Sequence, residues 1–255
     1  MMPLPEAFRQ IPIAHRALHD KVDGRPENSR AAIQAAINAG YGIEIDLQMS
    51  SDGQAMVFHD YDLSRLTGEK GKVQQLSAAE LGCVILSGSD EGVPGFAEIL
   101  DLVAGQVPLL VELKDQHGKM GETDGVLEQA VARDLAGYDG PVALMSFNPH
   151  PVARLAELLP EVPRGLVTSG YRMVDEPHLS AKTRRHLRDI PDYDRCKASF
   201  ISHQWSDLAR SRVAELKSAG ATVLCWTVKS AKDEAKAREI ADNVTFEKYL
   251  AQHPD

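Results

Sequence analysis

The fold class that this sequence predicts is α/β, a TIM (β/α)8 barrel with an insertion after the second strand region. About eight short apolar runs lie along the chain, and most are separated by segments with the three-to-four apolar spacing of a helix. Continuous apolar strands that alternate with helices are typical of a parallel sheet covered by helices. With about eight such units in 255 residues, a closed barrel is favoured over an open sheet.

The apolar runs predict the position of each strand. Strands are expected at residues 11–15, 42–48, 108–114, 142–146, 165–168, 199–202, 222–227 and 243–246. Two helices are expected at residues 29–39 and 206–219. Each is followed by a glycine, Gly40 or Gly220, and glycine readily ends a helix in the left-handed conformation.

Residues 54–58 are predicted to form an additional short strand, and residues 60–92 form an insertion too long for a simple connection. Five glycines punctuate this insertion: Gly68, Gly71, Gly82, Gly88 and Gly92. A long excursion after a barrel strand is expected at the carboxyl-terminal face, where barrel enzymes carry their active sites. We therefore expect one domain, residues 1–255, with the insertion beside its site.

Composition and charge limit the class of protein and its partners. The chain is 43% hydrophobic and 25% charged, and no apolar run approaches the roughly 18 residues that a membrane span needs. A formal net charge of −9 argues against nucleic acid or stable membrane association, while a homo-oligomer is compatible with the sequence. The amino-terminal segment lacks the pattern of a signal peptide, so we expect a cytoplasmic protein. Cys83, Cys196 and Cys225 suit neither a disulfide framework nor a zinc site.

The run Gly42-Ile-Glu-Ile-Asp-Leu places two carboxylates in one strand. Side chains alternate with a period of two, so Glu44 and Asp46 share one face and the aliphatic residues share the other. Adjacent anions repel each other unless a cation or solvent lies between them. A bound divalent metal would resolve the repulsion, and an edge strand with a wet polar face is the alternative that these six residues leave open.

Further polar residues stand at the ends of apolar runs. His15 and Arg16 end the first run, and His59 follows the additional strand. Glu112 and Lys114 lie two residues apart in an apolar strand, where charged residues rarely occur without partners. Carboxylates from two strands favour a hard cation, Mg²⁺ or Ca²⁺, whereas zinc would prefer more histidine or thiolate.

Each of these features also has a purely structural interpretation. His15 could be a hydrogen-bonded core histidine, His59 part of a turn, and Glu112 with Lys114 a buried ion pair. Together these interpretations require several strand ends to bury unrelated charges, which costs stability at each one, so a shared site is favoured. The other histidines are expected at the surface: His19, His117, His150, His178, His186, His203 and His253.

Eight segments, in order along the chain, resemble the glycerophosphodiester phosphodiesterase family. They are Ile13-Ala-His-Arg, Pro26-Glu-Asn-Ser, Glu44-Ile-Asp, Asp52-Gly, His59-Asp, Val111-Glu-Leu-Lys, Ser146-Phe and Trp226-Thr-Val. The resemblance runs from residue 11 to residue 246. It implies a TIM barrel that uses a divalent cation to hydrolyse glycerophosphodiesters to glycerol 3-phosphate and an alcohol.

Carried over by position, the resemblance implies roles for individual residues. Glu44, Asp46 and Glu112 match the metal ligands, and His15 and His59 match the general acid/base pair. One histidine would deprotonate the nucleophile, either water or a hydroxyl of the substrate's own glycerol, and the other would protonate the departing alkoxide. A substrate hydroxyl as nucleophile would give a cyclic phosphate first, and the sequence leaves both routes open.

The remaining implied contacts concern the rest of the substrate. Arg16 and Lys114 resemble the residues that contact phosphate, and Glu27 lies beside the site in such proteins. Trp226, at a strand end, could form an apolar wall for the glycerol carbons, with ordinary core packing as the alternative.

Three positions depart from the family pattern. Ala17 stands where glycine usually follows His-Arg, and Lys229 stands where asparagine often follows Trp-Thr-Val. The last strand ends Asn243-Val-Thr-Phe-Glu in place of Ile-Ile-Thr-Asp. These changes bear on the specificity of the pocket more than on the reaction.

Other functions remain compatible with the fold. A phosphodiesterase acting on lysophospholipids would need an exposed apolar rim, and residues 60–92 are mostly polar. Another phosphodiester could be the substrate. A non-catalytic phosphodiester-binding barrel would be expected to lack at least one of the two histidines and three carboxylates of the predicted site. All five are present: His15, His59, Glu44, Asp46 and Glu112.

Overall fold

Eight parallel strands close into a barrel in the computed structural model, which describes residues 2–253. With one additional strand, they are β1 (Ile13–Ala14), β2 (Gly42–Met49), β3 (Ala55–Val57), β4 (Leu109–Leu113), β5 (Val142–Ser146), β6 (Arg164–Thr168), β7 (Phe200–Gln204), β8 (Thr222–Val228) and β9 (Asn243–Phe246). Strand β1 pairs in parallel with both β2 and β9, which closes the ring. The predicted fold class is therefore confirmed.

The first strand is shorter than the predicted residues 11–15. The Ile11 N–H bonds back to the Ala7 carbonyl at 3.0 Å, and Pro12 has no N–H to donate to a ladder. His15 lies beyond the strand, but its N–H still donates to the Phe246 carbonyl at 2.9 Å. The backbone of His15 is thus held at the carboxyl end of the barrel.

Helices lie between the strands. They are α1 (Ala7–Gln10), α2 (Arg30–Asn38), α3 (Ser64–Thr67), α4 (Ala78–Cys83), α5 (Phe96–Val103), α6 (Val126–Asp134), α7 (Pro149–Leu158), α8 (Ala181–Asp189), α9 (Ser211–Ser218) and α10 (Ala231–Ala237). Helix α2 begins after Ser29, whose hydroxyl accepts a hydrogen bond from the Ala32 N–H at 3.1 Å. Helix α9 begins later than predicted, because residues 205–207 form a separate 3₁₀ turn, in which the Asp207 side chain accepts a hydrogen bond from Arg210 at 2.8 Å.

Strand β2 is buried on both faces. Ile43, Ile45 and Leu47 pack in the layer between strands and helices, while Glu44 and Asp46 point into the barrel and are 2% and 1% exposed. The edge-strand alternative is therefore wrong, because β2 lies between β1 and β4.

An apolar cluster fills the barrel interior below the polar residues. Ile13, Leu110, Phe200 and Leu224 belong to it, and Phe8 of α1 packs into the same cluster. Because side chains alternate along β4, Glu112 points the same way as Leu110 but lies nearer the carboxyl end. The polar site is consequently built on an apolar floor.

The predicted additional strand forms as β3 and pairs antiparallel with the end of β2, Leu47 opposite Val57. The insertion that follows contains α3, α4 and a 3₁₀ turn at Val73–Gln75. It has its own apolar cluster, shared with β3 through Met56: Met56, Phe58, Leu63, Leu66, Val73, Leu81, Leu86 and Val93. This packing fixes the segment that carries His59.

Within residues 2–253, no helix combines the length and apolar character needed to cross a membrane.

Candidate active site

Three carboxylates meet at the carboxyl end of the barrel. Asp46 on β2 is directly opposite Glu112 on β4, and Glu44 lies on the same face of β2, two residues before Asp46. Each offers a carboxylate oxygen, and these oxygens lie within 4.8 Å of one another. The structure thus brings together the three residues that the sequence singled out as metal ligands.

The charges in this cluster are unequally compensated. Lys114 Nζ lies 2.7 Å from Asp46 Oδ1 and 2.7 Å from Glu112 Oε1. Burial raises the pKa of Asp46, but Lys114, His59 and Arg16 outweigh it and hold that pKa well below its usual range. Burial, Asp46 and Glu112 together raise the pKa of Glu44 well above its usual range.

Glu44 has the environment expected of a ligand for a hard cation. In the part of the chain that the structure describes, no Lys, Arg or His side chain lies within ion-pair distance of its carboxylate, which accepts only the Arg16 N–H at 2.9 Å. A buried carboxylate without a counter-charge is costly. Three clustered carboxylates suit Mg²⁺ or Ca²⁺, so the donor set fits a divalent cation.

Asn28 supports the cluster and was not predicted. Its side-chain N–H donates to Asp46 Oδ2 at 3.0 Å, from a backbone with φ of 61°. Asparagine tolerates this left-handed conformation better than most residues. Its place in Pro26-Glu-Asn-Ser, within the family pattern, was the available signal.

His15 is held by a carboxylate from the far end of the chain. Its Nδ1 lies 2.8 Å from Glu247 Oε2, just after β9, which leaves Nε2 as the free ring nitrogen. Burial lowers the pKa of His15, and the hydrogen bond with Glu247 opposes that shift. From the sequence, Glu247 was noted only in the altered ending of the last strand, and its contact with His15 was not predicted, since nothing local connects positions 15 and 247.

His59 is held in the same way by its neighbour in sequence. Its Nδ1 lies 2.6 Å from Asp60 Oδ1, again leaving Nε2 free. Arg65 Nε donates to Asp60 Oδ2 at 2.6 Å, and the hydrogen bonds from His59 and Arg65 outweigh burial to lower the pKa of Asp60. Arg65 was also missed, because an arginine in a polar insertion carries no signal of its own.

Arg16 and Ala17 form a left-handed turn over the cluster. Their φ angles are 52° and 64°. The turn lets the N–H groups of Arg16 and Ala17 donate to the side chain and carbonyl of Glu44, at 2.9 and 3.0 Å. Ala17 therefore occupies a left-handed conformation that glycine adopts without cost.

Glu27 connects Arg16, which follows His15, with Arg65, which holds the Asp60 carboxylate beside His59. Its Oε1 accepts from Arg16 at 2.6 Å and from Arg65 at 2.8 Å, while Oε2 accepts a second bond from Arg65 at 2.8 Å. Burial raises the pKa of Glu27, but the two arginines outweigh it and lower that pKa to about 2. Glu27 thus lies beside the carboxylate cluster, with its own carboxylate occupied by arginines.

A cavity of about 290 Å³ lies over these groups. Both histidines, Arg16, Lys114 and two of the carboxylates line it. Phe147 and Trp226 form an apolar wall, with ring centroids 5.3 Å apart in an edge-to-face arrangement. Trp226 Nε1 donates to the Ser202 carbonyl at 2.9 Å, which orients the indole.

The prediction that His203 lies at the surface is wrong. It is completely buried on β7, on the side facing the helices, where Nδ1 lies 2.7 Å from the Thr168 hydroxyl and Nε2 3.3 Å from Asp207. His19 is only partly exposed, and its Nε2 lies 3.7 Å from Glu247 Oε2. The exposed histidines agree with the prediction: His117, His178, His186 and His253.

Residues 15–246 match the model of the glycerophosphoryl diester phosphodiesterase family. The chain belongs to this family. The resemblance predicted from the sequence, and with it the expectation of an enzyme, is confirmed. Residue 15 directly follows β1 and residue 246 ends β9, so the match covers the other seven barrel strands and begins directly after β1.

Individual members of the family are similar over most of the chain. A glycerophosphodiester phosphodiesterase of Bacillus subtilis is 26% identical over 246 residues, covering 88% of this chain and 78% of that protein. One from Caldanaerobacter subterraneus is 29% identical over 168 residues, covering 63% and 67%. A phosphodiesterase of Oleispira antarctica, solved with the product sn-glycerol-3-phosphate, is 25% identical with a TM-score of 0.73, covering 96% and 93%.

Proposed function

We propose that this protein hydrolyses glycerophosphodiesters to glycerol 3-phosphate and an alcohol, with a divalent cation and two histidines. One observation carries the proposal: two imidazoles, each fixed through Nδ1 by a carboxylate, line one cavity with a buried carboxylate cluster. Family membership and the similarity to the Oleispira antarctica enzyme, whose product complex contains sn-glycerol-3-phosphate, agree with it.

Glu44, Asp46 and Glu112 would hold the cation, Mg²⁺ or Ca²⁺. When bound, the cation supplies positive charge that neutralises phosphate oxygens. Arg16 and Lys114 would add to this charge from the protein side, since both line the cavity beside the cluster. The phosphodiester is itself an anion, so fixed positive charge is needed before a nucleophile can approach phosphorus.

His15 and His59 would carry the two proton transfers. One imidazole Nε2 takes the proton of the attacking hydroxyl, of water or of the substrate's glycerol, as the new P–O bond forms. The other Nε2 gives a proton to the alcohol oxygen as the old P–O bond breaks. Because each Nδ1 is committed to a carboxylate, each ring presents the same nitrogen to the substrate.

The apolar wall of Phe147 and Trp226 would contact the glycerol carbons. We further propose that the whole chain works as one domain, in which the insertion at residues 60–92 contributes the His59 side. A cytoplasmic location is proposed as well, supported by three cysteines that are all free, the usual state in a reducing compartment.

Action on lysophospholipids is a second candidate, favoured by one observation. Met173 and Val174, in the loop after β6, are 71% and 79% exposed and lie close in sequence to Glu176, which lines the cavity. Exposed apolar residues at the mouth of a site could meet an acyl chain.

A product assay tests both candidates. Glycerol 3-phosphate released from glycerophosphocholine and glycerophosphoethanolamine is measured with Mg²⁺, with Ca²⁺ and with chelator, and lysophosphatidylcholine is supplied in parallel. Metal-dependent release from the diesters supports the first proposal. Cleavage of lysophosphatidylcholine alone supports the second. If neither glycerol 3-phosphate release nor lysophosphatidylcholine cleavage is detected under any condition, both proposals are contradicted.

A further inference from the structure

Glu247 makes two strong contacts in different directions. Oε2 lies 2.8 Å from His15 Nδ1, and Oε1 lies 2.8 Å from Lys229 Nζ. The carboxylate is 10% exposed, so both contacts form at the edge of the site rather than in bulk solvent. One carboxylate thus connects a site imidazole to an ammonium group.

The backbone fixes this arrangement from both sides. The Glu247 N–H donates to the Val228 carbonyl at 2.9 Å, which ties it to the end of β8, immediately before Lys229. The His15 N–H donates to the Phe246 carbonyl at 2.9 Å, which ties the preceding residue to the end of β1. Three strand ends therefore hold His15, Glu247 and Lys229 in one register.

Lys229 meets Glu247 directly after the end of β8. Lys229 is itself 53% exposed, and an ion pair so exposed contributes little to stability. Its contact is better explained by the position that it gives to Glu247 Oε1.

We propose that Glu247 is a positioning residue for His15, and that Lys229 holds Glu247 in place. The carboxylate accepts the Nδ1–H of His15, which selects the tautomer whose free Nε2 faces the substrate. The pair acts through His15 and does not touch the reacting atoms. This inference rests on the proposed hydrolysis only for its kinetic test.

The kinetic test compares Glu247→Gln, Glu247→Asp and Lys229→Met with the wild-type protein. Glu247→Gln is expected to lower kcat about 10- to 100-fold with little change in KM, as loss of a partner that orients a histidine does. Glu247→Asp restores the charge and is expected to recover part of the rate. A rise in KM at unchanged kcat, or no recovery with aspartate, contradicts a positioning role.

Lys248 provides a matched control for Lys229. Its Nζ lies 4.0 Å from the same Glu247 oxygen, and it is 66% exposed. Lys229→Met is expected to lower kcat about threefold to fivefold, the range available to an exposed ion pair, whereas Lys248→Met should leave it unchanged. Equal losses in the two variants would show a general charge effect and overturn the role of Lys229.

A spectroscopic readout keeps the inference testable even without turnover. Long-range ¹H–¹⁵N spectra at about pH 8, where an ordinary imidazole is neutral, report the tautomer of His15, with its signals assigned by their loss in His15→Gln. We expect the Nδ1–H form in the wild-type protein and a mixture of tautomers in Glu247→Gln. Unchanged His15 signals overturn the inference, whereas absence of glycerol 3-phosphate release in the wild-type protein overturns only the proposed hydrolysis.

Discussion

The site has two halves, one around His15 and one around His59, and different parts of the chain hold the imidazole in each half. On one side, His15, Glu247 and Lys229 stand on three strand ends of the barrel. On the other, His59 and Asp60 follow the appended strand β3, and Arg65 comes from the insertion. In each half, a carboxylate contacts the imidazole, and a lysine or arginine side chain contacts that carboxylate.

The difference between the halves lies in how their partners are connected. The His15 half joins residues at opposite ends of the chain, whereas the His59 half lies within seven consecutive residues. The first needs the closed barrel to exist, and the second needs only the local packing of the insertion. Two unrelated segments of the chain thus form the same imidazole–carboxylate–cation arrangement.

The carboxylate cluster lies between the halves and should give the largest effect. Glu44→Gln removes a buried charge that has no ion-pair partner among the described residues, and with it one ligand of the proposed cation. We expect kcat/KM to fall by about 10³-fold or more, because a bound metal contributes several kcal/mol of charge stabilisation.

The control for this substitution is Glu128→Gln, which removes a buried carboxyl from α6, outside the cavity. Divalent-cation affinity is measured by calorimetry alongside the rate. Cation binding of equal strength in wild type and Glu44→Gln would contradict the assignment of Glu44 as a ligand.

Glu27 joins the halves through Arg16 and Arg65, and its loss should weaken the fold in a pH-dependent way. Its pKa is about 2 in the folded protein against 4.5 for the ordinary group, so folding favours the ionised form. The resulting stabilisation is fully present above pH 4.5 and is lost as the pH falls towards 2. Glu27→Gln should lower the free energy of unfolding by on the order of 2 to 3 kcal/mol at neutral pH.

Urea unfolding of both proteins from neutral pH down to the acid limit checks this expectation, with chelator present throughout. The difference in unfolding free energy should narrow as the acid limit is approached. A difference that stays constant over the whole range would mean that the Glu27 charge is not the cause.

The equivalence of the halves can be tested on the His59 side. Asp60→Asn is expected to lower kcat about 10- to 100-fold, as proposed for Glu247→Gln, because it removes the carboxylate that holds the imidazole. Asp62→Asn, two residues further along, is the matched control for loss of charge. If Asp60→Asn behaves like Asp62→Asn, the two halves are not equivalent and the comparison fails.

The smallest effect is expected at the apolar wall. Trp226→Phe keeps an aromatic ring but removes the N–H that donates to the Ser202 carbonyl, and its smaller ring reduces the contact with Phe147. We expect KM for glycerophosphocholine to rise about twofold to fivefold with kcat nearly unchanged. Trp205→Phe, in the 3₁₀ turn, serves as control, and equal effects of the two substitutions would assign Trp226 to core packing.

The sequence predicts best where the signal is local. The bounds of β5 and β9 are those expected from their apolar runs, and the period of two correctly placed Glu44 and Asp46 on one face of β2, which the structure shows to be the inner face of the barrel. The prediction failed for His203, because the expected strand ended at residue 202, whereas β7 extends to Gln204 and buries His203. Strand β7 continues past that position, and alternation turns His203 towards the helices.

Partners that depend on closure of the ring could not be predicted. Asp60 could be inferred because it adjoins His59, whereas the contact of Glu247 with His15 spans 232 residues. Arg65 lies near His59 in sequence, but an arginine in a polar insertion carries no signal of its own, and Asn28 had a signal only through the Pro26-Glu-Asn-Ser segment. Type and spacing identify the reacting groups, but only the folded chain shows what holds them.

The most direct test of the account is kcat for glycerol 3-phosphate release by the wild-type protein, His15→Gln and His59→Gln under identical metal conditions. If both imidazoles transfer protons in one reaction, each substitution should lower kcat by about 10²- to 10⁴-fold with little change in cation affinity. The double variant should then be little worse than either single one, as for groups that act as a unit. Near wild-type turnover in either single variant would contradict the paired role of the two halves.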